Sequence, residues 1–308
     1  MVRGEMVELS RLAASPPEIR RFPINKWHLA TLVLVIIIIT QIFLYLKLNS
    51  DYIYQRSELQ LEYNSLHNSY GLLQVSYDML QSNYYSFLSG YADLRNQINK
   101  RALQFGVEDF ITPKDTAVEN VVLNITGGWS TTSDWSEFWN NVKKMYDWVV
   151  NNIEFRPDGL FPTLPSTPLG NIEYKRDMWQ FPNETLSLRE GDCEDMAMLL
   201  TSIMLSYGGE KYGKIECIMI RGSLGAHVGL QMSFTGDKLT ILDPAGHFYT
   251  QTLDGNLDSK DISTEINNWL NHWEPEVGSD ARVERVFSNS VDKEFSSISE
   301  YVSWMYTR

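Results

Sequence analysis

Cysteine is scarce in this sequence: only two occur among 308 residues, Cys193 and Cys217. Two cysteines exclude a disulfide framework and a four-cysteine zinc site. A single Cys193–Cys217 disulfide remains compatible with the sequence if this part of the chain lies outside the cell, and it would disable any thiol chemistry. The cysteine content therefore leaves two hypotheses, one disulfide or one reactive thiol.

Basic residues are also in the minority. The chain has 26 Lys and Arg against 39 Asp and Glu, which gives a formal net charge of -13 at pH 7. A nucleic-acid-binding protein needs a basic surface to meet the phosphate backbone. The charge balance therefore excludes nucleic acid as an expected partner, and the length allows one or two domains.

Charge is absent altogether from residues 27–46, which include an unbroken aliphatic run over 32–39. A helix of about 20 apolar residues spans a hydrocarbon core of about 30 Å. The run is too long for a cleaved signal peptide, and no small-residue cleavage site follows it. We therefore predict an uncleaved transmembrane anchor over 27–47.

The charges beside this anchor predict its orientation. Arg20, Arg21 and Lys26 lie immediately before it. Basic flanks stay in the cytoplasm. We therefore predict a single-pass protein of the cell membrane, with a cytoplasmic segment over 1–26 and the rest of the chain extracytoplasmic.

A seven-residue repeat follows the anchor. One apolar position alternates with a mostly tyrosine position in steps of four and three: Leu59, Tyr63, Leu66, Tyr70, Leu73, Tyr77, Leu80, Tyr84, Phe87, Tyr91, Leu94 and Ile98. This repeat predicts a coiled-coil stalk over 50–104, with leucine at d and tyrosine at a. It fits two strands, three strands or a helix folded against the globular domain. A homo-oligomer is the expected partner.

The heptads end near Gly106. Residues 107–308 then alternate between helical and extended patterns. This alternation predicts an α+β domain with a core over 135–250. A capping box predicts a helix over 134–152, and the proline-rich loop 157–168 that follows has the length of a functional lid. Further along, the pattern predicts three strands, a helix with Trp269 and Trp273 on its apolar face, one more strand and a closing helix. The three strands are 214–221, 226–234 and 238–242, and a tight Thr235-Gly236-Asp237 turn joins the last two.

The cysteine helix is the segment with the clearest chemistry. Gly191-Asp192-Cys193-Glu194-Asp195 precedes the apolar run 196–205, which predicts a buried helix that begins at the cysteine. A helix N-terminus favours thiolate over thiol. Free cysteines are more often small buried hydrophobes. Because the flanking carboxylates are costly to bury, we expect Cys193 to lie at a polar, accessible position.

Two residues further along complete a candidate thiol centre. His227 begins the second predicted strand and Asp243 ends the third, so a short hairpin would place both at the same end. A cysteine nucleophile needs a base, and that base needs an orienting acceptor. His227 and Asp243 can supply these functions for Cys193, although His247 is a second candidate base. For the oxyanion, the candidate donors are the Cys193 N–H with the Trp179 indole or the Gln180 amide.

Residues from about 135 to 249 resemble the transglutaminase-like superfamily, which has papain-type cysteine chemistry on an α+β fold. The matching segments are 146–153, 179–186, 191–195, 226–228 and 242–244. The Gly-Asp-Cys-Glu-Asp sequence is most similar to archaeal transglutaminase-like proteins and bacterial transglutaminase-like cysteine proteinases. The resemblance implies a catalytic triad of Cys193, His227 and Asp243, on a helix start and two adjacent antiparallel strands, with Trp179 as an oxyanion helper.

The same resemblance bears on calcium. Some proteinases of the superfamily bind calcium through acidic residues beside the cysteine, which implies Asp192 and Glu194 as ligands. From the residues alone, Asp192 is a helix cap and Glu194 interacts favourably with the helix dipole. Apart from calcium, no cofactor is expected.

The sequence therefore predicts a membrane-anchored, extracytoplasmic thiol enzyme that acts on amide bonds of proteins or envelope peptides. Hydrolysis is favoured over cross-linking, because water is abundant and nothing in the sequence identifies a lysine-binding site. The alternative is a catalytically silent, stalked binding or scaffolding module on the same fold. A third hypothesis is that the coiled coil pairs with a membrane partner that the domain processes.

Overall fold

The computed structural model describes residues 25–129 and 134–308. The chain divides into two compact units, Met1–Asn83 and Tyr84–Arg308. Nearly all of the predicted cytoplasmic segment 1–26 lies outside the described residues.

The first helix, α1 (Lys26–Leu103), contains both the predicted anchor and the predicted stalk without a break. Residues 48 and 49, which join the two, are helical as well, since neither is the glycine or proline that would interrupt a helix. The N-terminal part of α1 is long and apolar enough to cross a membrane. All described side chains of the first unit are exposed in the single chain. Membrane insertion, orientation and the coiled coil therefore stay predictions.

The second unit begins within α1 and mixes helices with short and long strands. After α1 its described elements are a 3₁₀ turn (Val107–Phe110), α2 (Thr116–Thr126), α3 (Trp135–Asn152), β1 (Glu154–Phe155), β2 (Phe161–Thr163), β3 (Glu173–Lys175), α4 (Pro182–Leu188), β4 (Glu190–Gly191), α5 (Cys193–Gly208), β5 (Lys214–Arg221), β6 (Ala226–Phe234), β7 (Lys238–Asp243), β8 (Phe248–Tyr249), β9 (Lys260–Asp261), α6 (Ile262–Val277), β10 (Arg282–Phe287), β11 (Asp292–Glu294) and α7 (Ile298–Met305).

The largest sheet among the described residues is antiparallel and has seven strands. Its order is β11-β10-β5-β6-β7-β8, and β9 pairs with the start of β7. Strands β5 and β6 have the predicted bounds, and β7 ends one residue later than predicted, at Asp243. Gly236 and Asp237 adopt positive φ values of 80° and 60°, as a tight β6–β7 turn requires. In this hairpin Leu230 pairs with Leu242.

Alternating side chains give this sheet two apolar faces. One face packs against α2, α3 and α5 through residues such as Leu230 and Met232 of β6. The other packs against α6 and α7 through residues such as Ile218 and Ile220 of β5. The mixed helix-and-sheet architecture predicted from the sequence is therefore confirmed.

The proline-rich loop is held by the last turns of α1. Its strand β2 pairs with β3. The Asn99 amide donates to the Leu164 carbonyl at 2.8 Å, and the Leu164 N–H donates back to Asn99 Oδ1 at 2.7 Å. The Tyr91 hydroxyl donates to the Pro165 carbonyl at 2.7 Å. The middle of the loop is therefore tied to α1.

Both cysteines are free thiols. Cys217 is buried in β5, with its sulfur 3.2 Å from the Thr201 hydroxyl, and Cys193 begins α5. The disulfide that the sequence left open is not formed.

Candidate active site

Helix α5 begins at Cys193, and Asp192 is the residue before its first turn. The Asp192 N–H donates to Oδ2 of Asp195 at 3.4 Å, as in a capping box. Glycine is required at position 191, because a Cβ there would lie 2.7 Å from the Asp195 Cβ. The backbone just before the cysteine is therefore fixed by the acidic residues that flank it.

Asp195 also fixes the segment that carries Gln180. Its Oδ1 accepts a hydrogen bond from the Gln180 N–H at 2.8 Å. Burial, and then the neighbouring Asp192, raise the pKa of Asp195 to about 8. Because Asp195 contacts both segments, it aligns the start of α5 with residues 179–181.

Cys193 and Asp192 are half-buried, and the expectation that the carboxylates beside the cysteine are too costly to bury was wrong for Glu194 and Asp195. Glu194 is 5% exposed and Asp195 is fully buried. Asp195 tolerates burial because it accepts two backbone N–H groups, which offset the loss of water. The sequence does not show these partners, since Gln180 reaches Asp195 only in the folded chain.

The Cys193 sulfur donates to Oε2 of Glu194 at 3.1 Å, and the Val228 N–H is directed at the sulfur. Burial raises the pKa of Cys193 well above its ordinary value, and Glu194 and then Asp192 raise it further. We expected the helix N-terminus to favour the thiolate, but burial and the neighbouring carboxylates outweigh it. In this arrangement the sulfur is a neutral thiol.

Four carboxyl groups surround the start of α5: Asp158, Asp177, Asp192 and Glu194, termed here the acidic cluster. Ligand atoms of Asp158, Asp177 and Glu194 lie within 4.8 Å of one another, as do those of Asp192, Cys193 and Glu194. Within residues 25–129 and 134–308, one oxygen each of Asp177, Asp192 and Glu194 is buried without a hydrogen-bond partner. Burial raises the pKa of all four groups, to about 6 for Asp158. The cluster therefore offers unpartnered hard oxygen donors of the kind that calcium takes.

Only Asp192 and Glu194 of this cluster were predicted from the sequence. Asp158 lies in the proline-rich loop, and Asp177 lies well before the cysteine motif. Asp177 is held by Gln104, just beyond α1, whose amide donates to Oδ2 at 2.6 Å. No sequence spacing signals these residues, because tertiary contacts bring them together.

The structure places His227 and Asp243 in contact. His227 Nε2 and Asp243 Oδ2 are 2.8 Å apart, and both side chains are buried. With Nε2 directed at Asp243, Nδ1 is the ring nitrogen left for proton transfer. His247, the alternative base, lies in the turn after β7, and no described hydrogen bond joins it to Asp243.

The Asp243 carboxylate has four hydrogen-bond donors. Besides His227, its Oδ2 accepts from the indole N–H of Trp269 at 2.9 Å and of Trp273 at 2.7 Å, and its Oδ1 accepts from the Gly246 N–H at 2.9 Å. Burial opposes ionisation, but His227 and the other donors hold the pKa of Asp243 below its ordinary value. Asp243 is therefore a buried, fully hydrogen-bonded carboxylate.

Sequence reasoning identified Trp269 and Trp273 only as the apolar face of a helix. Their spacing of four residues places both indoles on one side of α6, which is the signal the sequence offers. The Trp273 ring also stacks on His227, with centroids 3.5 Å apart and planes at 25°. These polar contacts could not be predicted without knowing that α6 packs over the ends of β6 and β7.

Cys193 and His227 contact different neighbours. Cys193 packs with the cluster that contains Val228, whereas His227 packs against Trp273 of α6. Within the described residues no hydrogen bond joins the Cys193 sulfur to His227. The structure therefore brings His227 and Asp243 together and places Cys193 against the residue that follows His227.

The two oxyanion candidates differ in accessibility. Trp179 is fully buried and stacks on Phe287, with centroids 5.2 Å apart. Gln180 is 7% exposed, and its side-chain oxygen accepts from the Thr185 hydroxyl at 3.5 Å. Both side chains are nevertheless buried, and the Trp179 indole N–H has no hydrogen-bond partner among the described residues, so both stay candidate donors.

No protein-family model matches the sequence, and no curated protein does. Solved structures of Legionella pneumophila LapG are similar at a low level. The EGTA-treated form has a TM-score of 0.32 and 15% identity over 62% of this chain and 86% of that one. A further LapG structure has a TM-score of 0.33 and 16% identity over 62% and 84%, and calcium-bound LapG has 0.29 and 17% over 64% and 99%. TM-scores this low do not assign the chain to a family.

Proposed function

We propose that this chain is a membrane-anchored thiol hydrolase that acts on amide bonds of proteins or envelope peptides outside the cell. Cys193 is the nucleophile, His227 the base and Asp243 its orienting acceptor. The observation that carries the proposal is the buried His227–Asp243 pair, which leaves Nδ1 of the imidazole free. The motif resemblance to the transglutaminase-like superfamily supports the same three residues.

Hydrolysis would begin with transfer of the Cys193 proton to Nδ1 of His227 and attack of the sulfur on the substrate carbonyl carbon. Asp243 would hold the imidazolium that forms. The Cys193 N–H has no partner inside the helix because it opens α5, so it can donate to the oxyanion together with Gln180. His227 would then protonate the leaving amine, and water would release the acyl group from sulfur.

This sequence of steps requires the Cys193 sulfur to exchange its hydrogen bond with Glu194 for one with His227. We propose that the acidic cluster holds calcium. Its four carboxylates, three of them with an unpartnered oxygen, fit a cation that takes 6–8 oxygen ligands. A cation bound there would supply positive charge that offsets the carboxylates beside the sulfur.

Thermal unfolding of the full-length chain in detergent tests the calcium site. Calcium added after EGTA treatment should raise the unfolding temperature, because the ligand binds only the folded chain. Asp177→Asn should abolish the increase. Asp147→Asn is the matched control, since Asp147 forms a half-buried ion pair with Lys143, one turn away on α3 and outside the acidic cluster. No increase, or the same increase in Asp177→Asn, would contradict the site.

Iodoacetamide alkylation against pH tests the thiol chemistry, with Cys193 and Cys217 distinguished by peptide mass. Burial raises the pKa of Cys217 to about 12, so this residue is the unreactive reference. With calcium present, Cys193 should be labelled near neutral pH. His227→Ala should slow the labelling by about 10-fold or more, whereas His247→Ala should leave it unchanged. Labelling confined to alkaline pH and indifferent to His227 would contradict the proposal.

A catalytically silent binding module is the second candidate. It is favoured by one observation: the thiol is bonded to Glu194 and not to His227. This candidate predicts that Cys193→Ala leaves the biological activity of the protein intact, whereas the hydrolase predicts that it is lost.

The anchor and stalk are part of the proposal. Leu66 and Leu73 of the heptad repeat are 70% and 67% exposed in the single chain, so a second copy can cover them. A cysteine at position 66 should form an intermolecular disulfide under oxidation, while one at the off-seam position 68 should not. A reporter fused after Arg308 should be active outside the cell, and activity only in the cytoplasm would overturn the orientation.

A further inference from the structure

The pair His227–Asp243 is covered by one helix, α6, that contributes no residue to the proposed reaction. Trp269 and Trp273 of this helix both direct an indole N–H at Oδ2 of Asp243, at 2.9 and 2.7 Å. The same oxygen accepts from His227 Nε2 at 2.8 Å. Three donors therefore converge on one carboxylate oxygen, which fixes its position from three directions.

Trp273 also stacks on the His227 ring, whereas Trp269 lies farther from that ring. The Trp273 ring lies 3.5 Å from the His227 ring, at 25°, whereas the Trp269 ring is 6.0 Å away at 58°. A stacked indole restricts the imidazole to one plane. Its electron-rich face also favours the imidazolium form that the proposed reaction produces.

Two glycines make room for the indoles. A Cβ at Gly246 would lie 2.5 Å from Cζ2 of Trp273, and a Cβ at Gly229 would lie 3.0 Å from Cζ2 of Trp269. Neither glycine has a positive φ, so neither is required by its backbone conformation. The sheet and the turn after β7 are therefore shaped to let both rings approach Asp243.

We propose that Trp269 and Trp273 are positioning residues of the thiol centre: their indole N–H groups hold the Asp243 carboxylate, and the Trp273 ring holds the plane of His227. The inference rests on the proposed function. Without these donors Asp243 would be buried with fewer hydrogen bonds, and it would take up a proton more readily. A protonated Asp243 no longer holds an imidazolium.

Few titratable groups surround Asp243. His227 of β6 donates to it, the Tyr146 hydroxyl of α3 donates to its backbone carbonyl at 3.4 Å, and His272 of α6 lies edge-on behind Trp273. Tyr146 stays protonated, since burial and then Asp243 raise its pKa far above the ordinary value. A change in the titration of Asp243 on substitution of Trp269 or Trp273 therefore reports on the indoles.

The test uses the full-length chain in detergent and the variants Trp269→Phe and Trp273→Phe, which keep a ring and remove the N–H. Trp304→Phe is the matched control, because Trp304 packs on Phe295 and Arg308 of the same unit without contact to Asp243. The protonated-carboxyl infrared band of Asp243, identified by its absence in Asp243→Asn, is followed against pH. Alkylation of Cys193 is followed over the same range with calcium present.

Each tryptophan variant should move the midpoint of the Asp243 band upward by about one pH unit. The acid limb of Cys193 alkylation should move with it, and Trp304→Phe should move neither. Variants that lower the unfolding temperature but titrate like the unsubstituted chain would overturn the inference, because the tryptophans would then be only structural.

The two proposals fail in different ways. If the band moves but Cys193 labelling is indifferent to His227, the tryptophans hold Asp243 and the thiol-hydrolase proposal is wrong. If labelling depends on His227 but the band does not move in Trp269→Phe or Trp273→Phe, the hydrolase stands and the positioning inference is wrong.

Discussion

The second unit has two carboxylate sites with opposite surroundings: Asp243, which is fully buried, and the acidic cluster, in which Glu194 is buried and the other three members are half-buried. Asp243, at the end of β7, accepts four hydrogen bonds, and its pKa lies below the ordinary value. The acidic cluster beside Cys193 has three oxygens without donors, and the pKa of each member is raised. Burial therefore does not decide ionisation; the supply of donors does. Asp243 is arranged to remain charged, whereas the acidic cluster is the group that we propose to hold calcium.

Loss of the Asp243 carboxylate should lower the stability of the fold more than any of the substitutions that follow. Asp243→Ala would leave His227, Trp269 and Trp273 with buried N–H groups that have no acceptor. We expect the free energy of unfolding to fall by about 3–5 kcal/mol, as for other broken buried charge networks. Chemical unfolding followed by near-ultraviolet circular dichroism measures the loss.

Asp147→Ala is the control for this prediction. Asp147 forms an ion pair with Lys143 one turn away on the same helix, half-buried and still reached by solvent, so its loss should cost less than about 1 kcal/mol. Similar losses in Asp243→Ala and Asp147→Ala would mean that the donors around Asp243 do not stabilise the fold.

The carboxyl groups around the start of α5 should make the fold less stable as the pH rises, because folding raises their pKa values. A carboxyl whose pKa is raised by folding binds its proton more tightly in the folded chain, so stability falls as pH rises from the unfolded value toward the folded one. For Asp158 that window runs from its ordinary pKa of 3.8 to about 6, and for Asp195 it runs to about 8. In EGTA the unfolding temperature should therefore decrease between pH 4 and pH 8.

Calcium and one variant sharpen this prediction. Bound calcium favours the ionised carboxylates, so the decrease should be reduced or abolished when calcium is present. Asp158→Asn should flatten the part of the curve below about pH 6. An unfolding temperature that rises with pH in EGTA would contradict the raised pKa values of these carboxyl groups, which burial and then the neighbouring carboxylates cause.

The local elements were predictable, and the electrostatics were not. Strands β5 and β6 and the start of α5 follow from nearby residues, and a short turn fixes the hairpin that joins His227 to Asp243. The raised pKa of Cys193 depends first on the burial of its own thiol and then on the carboxylates of Glu194 and Asp192, and local sequence does not show that burial. Asp177 joins the cluster through tertiary contacts made far from Cys193 in sequence.

A single substitution tests whether the Glu194 carboxylate contributes to the raised pKa of Cys193. Glu194→Gln removes the carboxylate that accepts from the Cys193 sulfur at 3.1 Å, and with it a negative charge beside the thiol. In EGTA, alkylation of Cys193 near pH 8 should become about 10-fold faster, which corresponds to a fall of about one unit in its pKa. Peptide mass analysis of the labelled chain measures the rate.

Glu190→Gln is the control, because Glu190 pairs with the exposed Arg156 close to the same helix start. It should change the labelling rate little. Equal acceleration in Glu190→Gln and Glu194→Gln would mean that the general charge of this region, and not the hydrogen bond to Glu194, holds Cys193 as a thiol.

The smallest effect is expected from Tyr146→Phe. The Tyr146 hydroxyl donates to the backbone carbonyl of Asp243 at 3.4 Å, a long contact that does not touch the carboxylate. We expect a loss of about 0.5–1 kcal/mol in unfolding free energy and an unchanged pH profile of Cys193 alkylation. Tyr207→Phe should cost more, because the Tyr207 hydroxyl accepts from the buried Asn141 amide at 2.8 Å and its removal orphans that donor. If Tyr146→Phe moved the pH profile of Cys193 alkylation as far as Trp273→Phe, the donors to the Asp243 carboxylate would not account for the difference between Asp243 and the acidic cluster.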